Sequence, residues 1–298
     1  MKFKVRHLIF KFVVYAFLIH ISWSVPMAQN KPCPFDEKTL QFAGDPVEQA
    51  LCLLRPNQIG GRLANQLPKL PAPLANLIGR KVEITKADFR RFLQKQKISE
   101  ASLGGSLDQS LSTAQLPDGT EIQALYFIIH DTSFPYLKDE AFPENFETDP
   151  GWKGNDLSIW LKQPVAHIFV NRLGDSLAVT PLSEPVGKGW GTKFARDFLK
   201  AGAKGLQLHI ELVQPRRRDG KNPNLNNDLI APVPGFTDRQ YQRLALLYIA
   251  AGLRRGTWLI PAYHSAIDAG IRDAHDDPQN FVLENFAASL KNLLKKLK

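Results

Sequence analysis

The chain has 298 residues, of which 44% are hydrophobic and 22% are charged, and its formal net charge is +9. This composition excludes an intrinsically disordered protein and is sufficient for one sizeable hydrophobic core. No internal repeat or long low-complexity tract is visible.

Residues 1–24 have the pattern of a secretory signal peptide, in which a basic start precedes the short apolar stretch "FVVYAFLIHISW". Such a stretch is too short to cross a bilayer comfortably, although an uncleaved membrane anchor is the alternative. Cleavage after Ser24 and cleavage as late as Ala28 both fit the sequence. Removal of residues 1–24 lowers the net charge from +9 to +5.

Export would place the two cysteines, Cys33 and Cys52, in an oxidising compartment. There they form either a disulfide that ties the mature N-terminus to a helix or two free thiols. The remaining basic charge concentrates in residues 216–218 and in the tail 289–298. This suits contact with an anionic envelope surface, whereas a solvated helical face is the simpler interpretation. We expect no nucleic-acid partner.

The first part of the chain, residues 29–115, is predicted to be a mainly helical region of unknown role. Asp45 and Pro46 begin one helix, and Thr85 is a plausible cap of another. Residues 98–119 are polar and rich in glycine and serine, which predicts a linker or loop.

After Asp118 the pattern becomes that of strands. The run "EIQALYFIIH" predicts a central strand buried on both faces, "AHIFVNRLGDSLAVTPL" a hairpin and "GLQLHIELV" a further strand. A long helix then begins at the capping box Thr237 and Gln240 and ends at Gly256, before the strand "TWLIPAYH". The sequence therefore predicts an α/β fold, with a mixed central β-sheet flanked by helices and a mainly helical N-terminal extension.

The motif "GDSL" at residues 174–177 matches the nucleophile block of a family of serine esterases. In this chain no histidine has an aspartate three positions before it, so the esterase base is missing. The block also lies at a predicted hairpin, where glycine and aspartate are typical of a tight turn. We therefore interpret Ser176 as a turn residue.

Two histidines follow predicted strands at the point where each strand ends. His130 closes "YFIIH" and His264 closes "LIPAYH", before an aspartate-rich loop. Loops at strand ends commonly carry ligands and catalytic groups. Two histidines and one carboxylate form a ligand set typical of catalytic zinc, with the fourth position left for water.

Residues 126–278 resemble the zinc-dependent N-acetylmuramoyl-L-alanine amidases, a family shared with peptidoglycan recognition proteins and phage T7 lysozyme. The similar blocks occur in the order of the family: "YFIIHDTS", "AHIFVNRLGDSLAV", "LHIELV", "FTDRQYQRLALLYIAAG", "YHSAID" and "HDDPQNF". The resemblance implies that His130, His264 and Asp277 bind Zn²⁺. It also implies that Glu211 is the general base that activates the water, and that His275, where many members have lysine, stabilises the oxyanion or assists proton transfer.

The sequence departs from the family pattern in three places. The loop from His264 to Asp277 is a few residues longer than expected, which leaves Asp273 and Asp276 as alternative ligands. With Asp277 as the ligand, the other three aspartates of the loop are interpreted as solvated or turn residues: Asp268, Asp273 and Asp276. The family's Trp-His pair is reduced to "GWG" around Trp190, and residues 214–235 are an insertion that is either a wall of the cleft or a surface excursion. His167 is interpreted as structural or as a support of the site, and His209 has no assigned role.

The resemblance implies that residues 116–298 form a zinc amidase domain, located in the periplasm or secreted at a bacterial cell envelope. Its substrate would be peptidoglycan or a muropeptide, cleaved between N-acetylmuramic acid and L-alanine. The alternatives are a non-catalytic peptidoglycan-binding module and a zinc peptidase that acts on another cell-wall amide. The oligomeric state does not follow from the sequence.

Overall fold

The computed structural model describes residues 31–58, 62–64, 66–187, 189–199, 201–218, 229–272 and 274–297. The predicted signal peptide and its cleavage region therefore lie outside the described residues. Within the described ranges, no helix combines the length and the apolar character that a membrane crossing requires.

A five-stranded mixed sheet forms the centre of the molecule, which confirms the predicted fold class. Its strands, in chain order, are β1 (Tyr126–Asp131), β2 (Ile168–Val170), β3 (Ser176–Ala178), β4 (Gln207–Leu212) and β5 (Ile260–Tyr263). The spatial order is β5-β1-β4-β2-β3. All neighbours are parallel except the β2–β3 hairpin. The carboxyl ends of β1, β4 and β5 consequently meet at one edge of the sheet.

The described ranges contain six α-helices around the sheet. They are α1 (Pro46–Leu53), α2 (Ala72–Ala75), α3 (Lys86–Lys95), α4 (Asp238–Arg255), α5 (His264–Ile267) and α6 (Leu283–Lys296). The predicted caps are confirmed: Asp45 and Thr85 cap α1 and α3, and Thr237 forms a capping box with Gln240 at the start of α4. Gly256 ends α4 with a φ of 81°, a conformation that glycine adopts without strain.

Shorter elements connect these helices and strands. Four 3₁₀ helices and one π-helical turn are present in the described ranges: Glu100–Leu103, Lys153–Asn155, Leu157–Lys162, Ala201–Leu206 and, as the π turn, Phe194–Phe198. The part of the chain that the structure describes also has four small antiparallel pairs: Phe35–Asp36 with Gln41–Phe42, Asn57–Gln58 with Arg62–Leu63, Thr113–Gln115 with Glu121–Gln123, and Arg217–Arg218 with Leu229–Ile230.

Two layers cover the central sheet because alternate side chains of β1 face opposite sides. Phe127 contacts Tyr248 of α4, with 5.2 Å between ring centroids. Tyr126 instead contacts Phe42 of the N-terminal region at 5.3 Å, and its hydroxyl donates to the side chain of Gln49 in α1. Residues from the N-terminal region and from the sheet therefore share one hydrophobic core.

Two predictions for the segment before β1 need correction. Of the two alternatives for residues 98–119, the linker is wrong, because Leu103, Leu107 and Leu111 are buried in the core; most of the segment is turn and irregular loop. The predicted strand "EIQALYFIIH" is also interrupted: Glu121–Gln123 belongs to a separate pair, and the central strand begins at Tyr126. The reason is that Ala124 and Leu125 donate their backbone N–H groups to Ser112 and Leu206, outside the regular ladder.

Cys33 and Cys52 form a disulfide, so residue 33 is linked covalently to α1. This helix packs against β5 and the adjoining helix α5. The N-terminal region is thereby attached to the elements that lead into the second histidine loop.

Candidate metal site

The predicted histidines and aspartate converge at the carboxyl edge of the sheet. His130 lies near the end of β1, His264 directly follows β5, and Asp277 lies on the loop after α5. One potential ligand atom from each residue lies within 4.8 Å of the others, and all three side chains are buried. These residues form a group that could hold a metal ion.

The distances within the group are short. The two Nδ1 atoms of His130 and His264 are 2.9 Å apart, His264 Nδ1 lies 2.9 Å from Asp277 Oδ1, and His130 Nδ1 lies 3.6 Å from Asp277 Oδ2. Lone pairs of two ring nitrogens and a carboxylate that point to one position repel one another unless a proton or a metal ion lies among them. The donor set therefore suits a shared cation.

Backbone contacts fix the position of the aspartate ligand. The N–H of Asp131 donates to Asp277 Oδ2 at 3.2 Å, and the N–H of Ser265 donates to the carbonyl of Asp277 at 2.9 Å. The first contact connects the loop to the end of β1, and the second connects it to the start of α5. The long loop between His264 and Asp277 thus returns to the edge of the sheet.

The carboxylate of Asp268 contacts the ring nitrogen of His264 that does not face the other ligands. His264 Nε2 is 2.8 Å from Asp268 Oδ2, at i,i+4 spacing. Asp268 also accepts the backbone N–H groups of Lys193 and Phe194 at 3.0 and 2.8 Å. Hydrogen bonds of this kind fix the orientation of a metal-binding histidine and increase its basicity. The interpretation of Asp268 as a solvated or turn residue is therefore wrong, because its side chain is fully buried.

The structure separates Asp277 from the alternative ligands. Asp276 is buried, but its carboxylate faces Arg216 at 3.5 Å and accepts from Gln279 Nε2 at 2.7 Å. It is therefore not a solvated residue either, and it lies outside the group of three. Asp273 lies outside the described residues.

The electrostatics of the group favour a bound cation. Burial alone would lower the pKa of His264, but the carboxylates of Asp277 and Asp268 hold it well above its usual value. Burial would likewise raise the pKa of Asp277, but His264 and the other histidine contacts hold it well below its usual range. For His130, burial and the nearby His264 lower the pKa to about 4. The carboxylates around His264 thus favour positive charge at the position that a metal ion would take.

Glu211 lies beside the group, on the strand next to His130. The two residues are paired in register on β4 and β1, and Glu211 Oε1 is 3.7 Å from His130 Nδ1. Glu211 Oε2 is buried and has no hydrogen-bond partner among the described residues. Burial and the carboxylate of Asp277 raise the pKa of Glu211 well above its usual value. This carboxyl group thus lies close to the cation site, with one oxygen unpartnered among the described residues.

His275 is the most exposed residue near the group. Its side chain is 55% exposed, Nδ1 lies 3.6 Å from Asp277 Oδ1, and its ring centroid is 4.6 Å from that of His264. The structure therefore places His275 at the rim of the site, between the ligands and solvent.

A buried ion pair lies directly behind the ligand loop. Arg216 Nη2 donates to Asp131 Oδ2 at 2.6 Å, and the N–H of Gln279 donates to the same oxygen at 3.0 Å. Arg216 is fully buried, so its assignment to a basic surface was wrong. Its charge instead supports the segment that carries the aspartate ligand.

The insertion at residues 214–235 begins and ends beside the site. Gln214 donates from Nε2 to the carbonyls of Gly235 and Gln279, and Ala231 donates its N–H to Gln279 Oε1. Its described ends are therefore packed against the residues that follow Asp277, while residues 219–228 lie outside the described ranges.

Two further histidines line the same face of the sheet. His167 is fully buried, its Nδ1 accepts the backbone N–H of His209, and its Nε2 donates to the carbonyl of Glu184. His209 Nδ1 lies 3.0 Å from His130 Nε2. His209 was missed by the sequence reasoning, although it stands two positions before Glu211 and so shares its face of β4.

Other candidate residues have structural surroundings. Ser176 begins β3, next to the turn, and its hydroxyl donates to the carbonyl of Ser102 at 2.7 Å. Trp160 is stacked on Phe169 at 4.5 Å, and Trp152 packs against the same small cluster. Trp190 remains 42% exposed.

Comparison of the chain with protein-family models, with curated proteins and with solved structures gives no match.

Proposed function

We propose that the protein is an exported zinc-dependent N-acetylmuramoyl-L-alanine amidase, which hydrolyses the amide bond between N-acetylmuramic acid and the L-alanine of the stem peptide. The observation that carries this proposal is the buried group of His130, His264 and Asp277 with Glu211 beside it. The choice of substrate is supported by the ordered blocks of residues that resemble the amidase family.

The spacing of the donor atoms fits zinc. In a tetrahedral site with zinc–ligand distances of about 2.0–2.1 Å, neighbouring ligand atoms are roughly 3.3 Å apart. The separations of 2.9 to 3.6 Å between Nδ1 and carboxylate atoms bracket this value. Two imidazoles and one carboxylate are also a ligand set of catalytic zinc sites, which keep one position open.

Zinc, when bound, lowers the pKa of a coordinated water towards about 7 and polarises the carbonyl of the substrate. Glu211 accepts the proton of the attacking water, and its raised pKa suits this role because a carboxylate of higher pKa is a stronger base. The proton passes to the nitrogen of L-alanine, so the C–N bond breaks and a free amine leaves. His275, at the rim, donates a hydrogen bond to the oxygen of the reacting carbonyl.

The disulfide supports the proposed location. Cys33 and Cys52 are linked, and such bonds persist in the periplasm and outside the cell but are rare in a reducing cytosol. A periplasmic or secreted enzyme would meet peptidoglycan directly. The exposed lysines of α6 are compatible with contact to an anionic envelope surface.

Digestion of purified peptidoglycan tests the proposal. The zinc-loaded protein should release stem peptides with a free N-terminal L-alanine, detected by mass spectrometry, whereas Asp277→Ala should release none. If the zinc-loaded protein sediments with peptidoglycan but releases no peptide across a range of pH, the protein is a binding module. Fragments cut within the stem peptide would instead identify a peptidase.

A further inference from the structure

His209 contacts His130, one of the proposed metal ligands, without belonging to the ligand group. It is fully buried on β4, and its Nδ1 atom lies 3.0 Å from Nε2 of His130. The centroids of the two rings are 5.2 Å apart. His209 is thus the group directly behind His130, as Asp268 is the group behind His264.

The hydrogen bonds define which nitrogen of each ring carries the proton. His130 directs Nδ1 towards His264 and Asp277, so a metal-bound His130 carries its proton on Nε2 and donates it to His209. His209 Nδ1 is then the acceptor, and the proton of His209 resides on Nε2. The backbone N–H of His209 donates in turn to His167 Nδ1 at 2.9 Å.

Neighbouring residues in the described ranges pack closely around the His209 ring but do not form a hydrogen bond with its Nε2. Its Nε2 is buried and has no partner among the described residues. The ring is stacked on His167 with an interplanar angle of 9°. On its other side lies Gly191, with a φ of 85°, where an added Cβ would come within 2.9 Å of His209 Nε2. A buried imidazole with an unsatisfied N–H destabilises a fold. Packing alone would therefore favour an apolar residue here, and the contact with His130 gives the reason for a histidine.

We infer that His209 is a positioning residue. Its Nδ1 accepts a hydrogen bond from Nε2 of His130, which orients the His130 ring so that its own Nδ1 faces the metal. This inference rests on the metal site of the proposed function. The two histidine ligands are thereby supported unequally, one by the carboxylate of Asp268 and the other by an uncharged imidazole. An imidazole that accepts through Nδ1 and carries its single proton on Nε2 is neutral. A neutral acceptor adds no negative charge behind His130, which preserves the Lewis acidity of the bound ion.

Two variants separate this role from simple packing. Asparagine places its Oδ1 near the position of Nδ1 and can accept the same hydrogen bond, whereas leucine fills the space without an acceptor. Zinc affinity is measured by competition with a chelator, and the absorption spectrum is recorded with Co²⁺ in place of zinc. His209→Leu should bind zinc about 10- to 100-fold more weakly and show an altered Co²⁺ spectrum. His209→Asn should stay within about threefold of the wild type and keep its spectrum.

The wild-type protein provides a second measurement that does not depend on folding of a variant. Long-range ¹H–¹⁵N correlation spectra of the zinc-loaded protein should show protons on Nε2 of both His130 and His209. A proton on Nδ1 of His209, or equal zinc affinities of the wild type and His209→Leu, would overturn the inference.

Failure of the proposed function has a different outcome: the effect on zinc affinity would persist, while the loaded wild type would release no stem peptides. Conversely, peptide release together with unchanged zinc affinity in His209→Leu would refute only the role of His209.

Discussion

Asp268→Asn tests whether the carboxylate behind His264 contributes to metal binding. In the wild type this fully buried carboxylate lies 2.8 Å from His264 Nε2 and accepts two backbone N–H groups. The amide retains one acceptor oxygen but loses the negative charge that increases the basicity of the ligand. Loss of such a partner typically weakens metal binding by about 10- to 100-fold, which corresponds to about 1.4–2.7 kcal/mol.

The assay is zinc affinity, measured by competition with a chelator of known affinity. Asp276→Asn is the matched control, because Asp276 is also buried but faces Arg216 and Gln279 instead of a histidine ligand. The control should remain within about threefold of the wild type. Equal affinities of Asp268→Asn and the wild type would refute the reasoning, as would an equally large loss in the control.

Four further predictions concern catalysis and stability. Glu211→Gln should retain zinc but lose about 10²- to 10⁴-fold in the rate of peptide release, and an active variant would exclude Glu211 as the base. Ser176→Ala should leave the rate unchanged, since its hydroxyl binds the carbonyl of Ser102. Cys33→Ser should reduce the free energy of unfolding by roughly 3 kcal/mol, because the disulfide closes a loop with a sequence separation of 19, and an unchanged denaturant midpoint would contradict this. Burial lowers the pKa of His167 to about 4. The unfolded chain therefore binds its proton first, and the metal-free protein should lose stability as the pH falls from about 6.5 to about 4, with a shallower loss in His167→Gln.

The sequence predicted much of the site because each of its parts lies at a local landmark. His130 and His264 follow strands, and parallel strands bring their carboxyl ends to one edge. Asp268 was misjudged although a signal was present: it stands four residues after His264, where a helical turn brings the two side chains together. His209 carried a comparable signal through its period-two spacing from Glu211.

Other features had no local signal. Arg216 pairs with Asp131, which is 85 positions away, so only the folded chain shows that this arginine is buried. Leu103, Leu107 and Leu111 stand among glycines and serines, and their burial depends on the sheet and helices that pack over them. Polar composition predicted a linker because it reports average hydropathy and not the packing of single leucines.

The metal content of the purified protein tests the central claim most directly. Elemental analysis after dialysis should give about one zinc ion per chain for the wild type, and His264→Ala and Asp277→Ala should retain almost none although both variants remain folded by circular dichroism. A wild type that cannot be loaded with zinc, or variants that retain it in full, would contradict the assignment of His130, His264 and Asp277 as the metal site.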